Sequence, residues 1–244
     1  ERGITILAKA ASVQWGDIKI NLVDTPGHAD FGGEVERSLK LVDGVVLLVD
    51  AAEGPLPQTR YVLSKALEAN LPAVLVLNKV DRQDARPNEV LDEIYELFLD
   101  LGASDHDIEF PIISAIARDG KAVTGVGMPG DGDDLTPLLQ AIVDTVPAPD
   151  LDADAPLQAI VTNLDASDYF GRLAIGRVMR GTLRKADRVA LLDEEVEEGG
   201  RPVERKLSAL QGFTGIGRDD VEERVAGDLF VIAGFPEVEI GDTL

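Results

Sequence analysis

The sequence predicts an α/β fold: a doubly wound parallel sheet followed by a small antiparallel β-barrel. Three observations predict it. First, the apolar runs Gly44-Val45-Val46-Leu47-Leu48-Val49-Asp50, Ala73-Val74-Leu75-Val76-Leu77 and Phe110-Pro111-Ile112-Ile113-Ser114 suit strands buried on both faces, and they alternate with amphipathic helical stretches. Second, a Pro- and Asp-rich linker, Pro147-Ala148-Pro149-Asp150-Leu151-Asp152-Ala153-Asp154-Ala155-Pro156, ends that alternation. Third, only short strand-like runs between glycine-rich turns follow it. The expected division is an α/β domain over 1–147, a linker over 148–156 and a β-barrel over 157–244.

In chain order, Ile4 to Ala8 is a short apolar run. Ala11 to Trp15 and Ile18 to Val23 flank Gly16-Asp17 and read as a hairpin. Asp24 to Gly33 is a loop. Glu34 to Leu41 reads as a helix, because Val35, Leu39 and Val42 recur at spacings of four and three. Pro57 to Ala69 is a helix with proline at its start. Pro87 to Leu101 is another, with Val90, Ile94, Leu97, Phe98 and Leu101 on one face. Ala117 to Asp134 is loop-like. Leu135 to Val146 is a helix whose preceding acids suit its N-terminus. Beyond the linker, strands are expected over Leu157 to Asp165, Arg172 to Met179, Arg188 to Leu192, Val203 to Leu210 and Asp228 to Gly234, with a helical turn at Asp219 to Arg224.

The chain has 244 residues, is 45% hydrophobic and 28% charged, and carries a formal net charge of −22. Such an acidic chain repels phosphate backbones in bulk, which argues against general nucleic-acid binding but leaves room for a local basic patch. Cysteine is absent, so there is neither a disulfide framework nor thiol chemistry. No apolar run reaches the roughly 18–20 residues of a membrane span, and a cytoplasmic location is expected. The opening Glu1-Arg2-Gly3 reads as the start of a fragment.

Three loops carry candidate chemistry, and all follow strands, so they should gather at the carboxyl edge of the sheet. In Asn78-Lys79-Val80-Asp81, the Asp81 carboxylate can accept two hydrogen bonds from the ring N–H and exocyclic amine of a guanine. Adenine presents an acceptor at the first position, and sites built on such pairs discriminate by about 10⁴-fold. Asn78 can bridge the base and neighbouring loops, and the Lys79 stem can cover the base face. The plainer alternative is a turn closing a buried strand. Ser114-Ala115-Ile116 ends the next strand, where small residues let backbone N–H groups approach a guanine oxygen; an ordinary strand end is the alternative. Val23-Asp24-Thr25-Pro26-Gly27-His28 places a carboxylate, a glycine and a histidine together. The carboxylate can face a metal, the Gly27 N–H can approach a phosphate, and His28 can hold a water. Thr5 has a hydroxyl suited to Mg²⁺ on a mobile loop, or is an ordinary β-branched strand residue. The only other histidine, His106, sits in a solvated acidic loop.

Glu1-Arg2-Gly3-Ile4-Thr5-Ile6, Asp24-Thr25-Pro26-Gly27-His28-Ala29-Asp30-Phe31, Asn78-Lys79-Val80-Asp81 and Ser114-Ala115, in that order, resemble the second to fifth motifs of translational GTPases. Phe31 to Arg37, Gly54 to Arg60 and Gly171 to Arg180 most resemble the TypA/BipA branch, as do Val225 to Asp228 and Ile240 to Leu244. Elongation factor G and LepA are its nearest relatives. The resemblance implies a P-loop NTPase-like sheet, GTP/GDP and Mg²⁺ as cofactors, and GTP hydrolysis coupled to ribosome binding in translation, ribosome assembly or stress response. It implies that Thr5 and Asp24 hold Mg²⁺, that Gly27 contacts the γ-phosphate, and that His28 is the catalytic residue, positioning the attacking water. Asn78, Lys79, Val80, Asp81, Ser114, Ala115 and Ile116 would bind the base.

The phosphate-cradling Gly-x-x-x-x-Gly-Lys-Ser/Thr is nowhere in these residues. The sequence is therefore expected to be a fragment lacking the P-loop and the C-terminal domains, inactive by itself. Two alternatives remain: a non-catalytic ribosome- or protein-docking module, or a GTPase of the elongation factor G or LepA kind. The ribosome, through its RNA and proteins, is the expected partner, with no membrane or DNA and with a monomeric state. Arg172, Arg177, Arg180, Arg184, Lys185 and Arg188 cluster in the barrel, either as an RNA-facing patch or as a solvated basic stripe.

Overall fold

The computed structural model describes residues 9–25, 32–104, 107–149, 152–185, 187–192 and 201–244. Thr5, Gly27, His28, His106 and the run from Ile4 to Ala8 lie outside the described residues. The chain forms two compact units, one holding residues up to Thr25 together with 149–244, the other residues 26–148.

The 26–148 unit carries α1 (Gly32–Leu39), β3 (Val45–Asp50), α2 (Pro57–Glu68), β4 (Ala73–Asn78), α3 (Pro87–Asp100), β5 (Ile112–Ile116), β6 (Lys121–Thr124) and α4 (Thr136–Thr145). Its sheet runs in the order β3-β4-β5-β6. β3, β4 and β5 are mutually parallel, as the strand–helix alternation requires, whereas β6 returns antiparallel to β5. The sheet is thus mixed, and β6 lies within the stretch expected to be a loop. Gly120 at φ +67° and Gly125 at φ +79° bound this four-residue strand, and its pairing with β5 is what makes it a strand.

The side-chain pattern places the core. β4 is buried on both faces, with Val74, Leu75, Val76 and Leu77 all at 1% exposure or less. β3 is buried on one face only: Leu47 and Val49 point into the core, while Val46 and Leu48 are exposed. That corrects the expectation of a doubly covered strand: the core cluster covers the face of β3 that carries Leu47 and Val49, and among the described residues the opposite face stays open. Leu63 of α2 and Val90, Ile94, Leu97 and Phe98 of α3 pack on the covered face, each apolar side chain contributing about 1.5–3 kcal/mol. Phe110 stacks against Tyr95, with ring centroids 5.5 Å apart, and sits 4.8 Å from Phe98, so it anchors the entry to β5 on α3.

The other unit begins with the expected hairpin, β1 (Lys9–Trp15) and β2 (Ile18–Asp24), in register from Lys9 opposite Asp24 to Trp15 opposite Ile18. The hairpin packs with the later strands of its unit. The Ser12 N–H donates to the Gly215 carbonyl at 2.9 Å, and Lys19 Nζ pairs with Asp228 Oδ1 at 2.9 Å. β7 (Gln158–Ser167), β8 (Gly171–Arg180), β12 (Ala209–Thr214), β13 (Gly217–Asp220) and β15 (Leu229–Ala233) form an antiparallel sheet in the order β13-β12-β15-β8-β7. β10 (Arg188–Leu191) pairs with β11 (Val203–Lys206), and β9 (Thr182–Arg184) with β14 (Glu223–Val225). The run from Val203 to Leu210 is two strands, broken at Leu207, where the Ser208 N–H turns to the Ala233 carbonyl. The expected helical turn at Asp219 to Arg224 is instead the end of β13 and the start of β14. Gly176 in β8 lies so close to β7 that a Cβ there would overlap the Ile160 carbonyl oxygen and stand 2.7 Å from Phe230 Cζ. No described helix is long and apolar enough to cross a membrane.

Candidate functional site

The carboxyl ends of β4 and β5 build a cavity. β4 runs apolar to Leu77 and ends in Asn78, opposite Ala115 of β5 and opposite Asp50 of β3. Val80 folds back into the core at 5% exposure, and its N–H donates to the Ala115 carbonyl at 3.4 Å. That plug lifts Lys79 and Asp81 to the surface on either side of it. Past β5, the Ala117 N–H donates to Asn78 Oδ1 at 3.0 Å, so the Asn78 side chain cross-links the two loops. Between them lies a cavity of about 250 Å³ lined by Asn78, Lys79, Asp81, Arg82, Ile116, Ala117 and Arg118. It is smaller than the roughly 300–1,000 Å³ of sites that enclose a drug-sized ligand, so it suits a planar base rather than a whole nucleotide.

The cavity wall presents an acceptor that adjacent N–H groups of a base could use. Asp81 is an acceptor-only carboxylate at the cavity wall, faced by Arg118 Nη2 at 3.3 Å. Arg118 is largely exposed, so a base offering two adjacent N–H groups competes for Asp81 against a weak, solvated ion pair. Lys79 is at φ +62°, one of two non-glycine residues in the left-handed region among the described residues. Its Nζ is held 2.8 Å from Asp50 Oδ2. Asp50 also accepts from the N–H groups of Ala52 at 2.8 Å and Glu53 at 3.3 Å, and from Arg82 Nη1 at 3.2 Å. Burial alone would raise the Asp50 pKa. The bonds from Lys79 and from the Ala52 and Glu53 N–H groups outweigh it and hold the carboxyl at about 2, so Asp50 is an anion throughout the neutral range.

Among the residues expected to bind the base, Asn78, Lys79, Asp81 and Ile116 line the cavity, and Val80, Ser114 and Ala115 do not. Ser114 is fully buried, and its hydroxyl donates to the Gly125 carbonyl at 2.8 Å and accepts from the Gly127 N–H at 3.1 Å. Asp24 ends β2 in the other unit and is exposed. Of the expected Mg²⁺ ligands it alone is described, and no group of three potential metal-binding side chains occurs among the described residues. Sequence reasoning missed Asp50, Arg82, Ala117 and Arg118. Asp50 carried a signal, since it is an acid closing an apolar strand just as Asp24 is. Arg82 simply follows the 78–81 turn in the chain, while Ala117 and Arg118 are brought in by the pairing of β5 with β4, which leaves no local trace.

The basic cluster of the second unit is partly neutralised within it. Arg184 pairs with Glu223 at 3.3 Å and Lys185 with Asp220 at 3.3 Å. Arg177 is buried, and Arg172 Nη1 donates to the Val238 carbonyl at 2.9 Å. Arg180 and Arg188 are exposed.

Residues 1–148 match the model of the elongation factor Tu GTP binding domain, and residues 171–244 match that of elongation factor Tu domain 2. The chain is 47% identical to the large ribosomal subunit assembly factor BipA of Salmonella typhimurium and 47% identical to that of Bacillus subtilis, in each case over all 244 residues and 39% of the relative's length. Identity to the Synechocystis BipA is 49%, again over the whole chain and over 40% of the relative. The chain therefore spans about two-fifths of the length of the curated relatives it matches. Both loops that line the cavity fall inside the first matched stretch, which covers more than half of the sequence. The chain belongs to the elongation factor Tu GTP-binding domain family.

Proposed function

We propose that the protein carrying this chain is a GTPase that acts on the ribosome, in assembly of the large subunit, and that the 78–81 turn reads the guanine. The observation that carries the reading is the cavity at the ends of β4 and β5, with the Asp81 carboxylate at its wall and Asn78 cross-linking its two loops. The BipA relatives are large ribosomal subunit assembly factors, which supports the ribosomal partner and the assembly role. GTP or GDP with Mg²⁺ is the ligand of such a site. Within it, Asp81 accepts from the base, Lys79 covers the base face and Asn78 keeps the two loops together. Ser114, Ala115 and Val80 act behind the cavity, by holding the loops that form it.

The catalytic half is assigned on resemblance. Thr5 and Asp24 would hold Mg²⁺, the Gly27 N–H would contact the γ-phosphate, and His28 would position the attacking water. Residues 1–147 are the GTP-binding domain, 148–156 the linker, and 157–244 a translation-factor β-barrel. Support for the barrel comes from one buried cluster that takes in Val161 of β7, Leu183 of β9, Leu191 of β10, Leu210 of β12 and Phe230 of β15. A cytoplasmic, monomeric protein follows from the same reading.

The test is Asp81→Asn in the full-length protein, with GDP and xanthosine diphosphate binding measured by calorimetry. Asparagine offers an N–H where the carboxylate accepted, so it suits the carbonyl that xanthine carries in place of the guanine amine. The ratio of the two affinities should move toward xanthosine by about a hundredfold or more. An unchanged ratio refutes the guanine reading.

A further inference from the structure

We infer that Asp50 is a positioning residue for the cavity: it does not line it, but it fixes two of the side chains that do, Lys79 and Arg82. The inference rests on the 78–81 turn being the base reader.

The two carboxylate oxygens divide the work. Oδ1 accepts the Ala52 and Glu53 N–H groups, which locks the side chain against its own loop. Oδ2 is left for the cations, Lys79 Nζ at 2.8 Å and Arg82 Nη1 at 3.2 Å. The backbone is fixed as well. Asp50 is opposite Asn78 in the β3–β4 register, and the Ala51 N–H donates to the Asn78 carbonyl at 2.8 Å, so the two strand ends are joined where their loops diverge. The Asp50 side chain is 12% exposed and that of Lys79 56% exposed. A rigid, nearly buried anion thus restrains a long, solvated cation. Without that restraint, the lysine must be ordered when the base arrives, and its rotamer entropy is charged against binding. Arg82 is held similarly between Asp50 and Asp84, the latter at 2.8 Å.

The test uses the full-length protein with GDP as the probe. Asp50→Asn keeps an oxygen for the Ala52 and Glu53 N–H groups, and replaces the Oδ2 that accepts from Lys79 and Arg82 with an uncharged NH₂ that cannot accept. It should weaken GDP binding by about tenfold, the scale of one lost charged hydrogen bond, while the unfolding midpoint at neutral pH moves by only a few degrees. In a Lys79→Met background, the same substitution should weaken binding by less than about threefold, because Asp50 acts largely through that lysine. A merely structural role would add in full in both backgrounds. If Asp50→Asn fails to fold, Asp50→Ser, whose hydroxyl can serve the same N–H groups, takes its place. GDP affinity within about twofold of the parent, or a full tenfold loss persisting beside Lys79→Met, overturns the inference. Asp81→Asn separates the two readings. If it shifts preference to xanthosine while Asp50→Asn is silent, positioning alone fails. If it shifts nothing, the base reading fails and the inference falls with it.

Discussion

Ser114→Ala separates the architecture behind the cavity from its lining. The Ser114 hydroxyl is buried at 0% exposure and makes two bonds, donating to the Gly125 carbonyl at 2.8 Å and accepting from the Gly127 N–H at 3.1 Å. Alanine deletes both and leaves a void no larger than an oxygen atom, so the cavity penalty is small. Each neutral hydrogen bond is worth about 1 kcal/mol net, and more where the abandoned group stays dry. Gly127 is exposed, so its N–H regains water, whereas Gly125 is half-buried and its carbonyl regains less. The expected cost is about 2 kcal/mol in the 26–148 unit. Urea denaturation followed by circular dichroism at the helical band reads that unit selectively, because all four described α-helices lie in it. The only tryptophan, Trp15, lies on the hairpin of the other unit, and its fluorescence should be unmoved. GDP affinity of the full-length protein should change less than about threefold, since the hydroxyl points away from the cavity. A stability loss below about 0.5 kcal/mol would refute the two-bond account, being within the range of an ordinary surface substitution.

Acid should remove a defined contribution. Asp50 is held at about 2, below its ordinary 3.8, so its stabilisation is complete above pH 3.8 and is lost as pH falls through about 2. That contribution is about 2 kcal/mol at neutral pH, and a urea series between pH 2 and 5 should show Asp50→Asn losing less stability across that window than the parent does; parallel curves would contradict the assignment. Gly176→Ala in β8 should destabilise its unit by about 3 kcal/mol or more, because the added Cβ meets β7 backbone as well as the Phe230 ring. Thermal unfolding followed by Trp15 fluorescence measures it, and a shift in midpoint of less than about 2 °C would show that the strands can part to admit a methyl group.

Much of the fold is written in local patterns. Ala73 to Leu77 is apolar at every position and is a strand covered on both sides. Val90, Ile94, Leu97 and Phe98 recur at helical spacing and are the buried face of α3. Asn78 to Asp81 was legible as a candidate base reader because the chemistry of a carboxylate after a buried strand is a property of those residues alone. Strand pairing is less legible. Lys121 to Thr124 is too short and too polar to declare itself and becomes β6 only beside β5, and Leu48 looks as buried as Val76 until one face of β3 is found uncovered among the described residues.

The cavity divides in the same way. The sequence alone determined the order of apolar strands and amphipathic helices, and the residue types at the strand ends, because periodicity and side-chain chemistry act over a few residues. Only the tertiary structure decided that Asp50 faces Lys79 and Arg82, that Ala117 bonds to Asn78, that Arg118 reaches Asp81 and that Ser114 turns its hydroxyl away from the cavity. Those contacts join residues brought together by β-pairing and loop closure, and their energies depend on register and burial that no single segment carries.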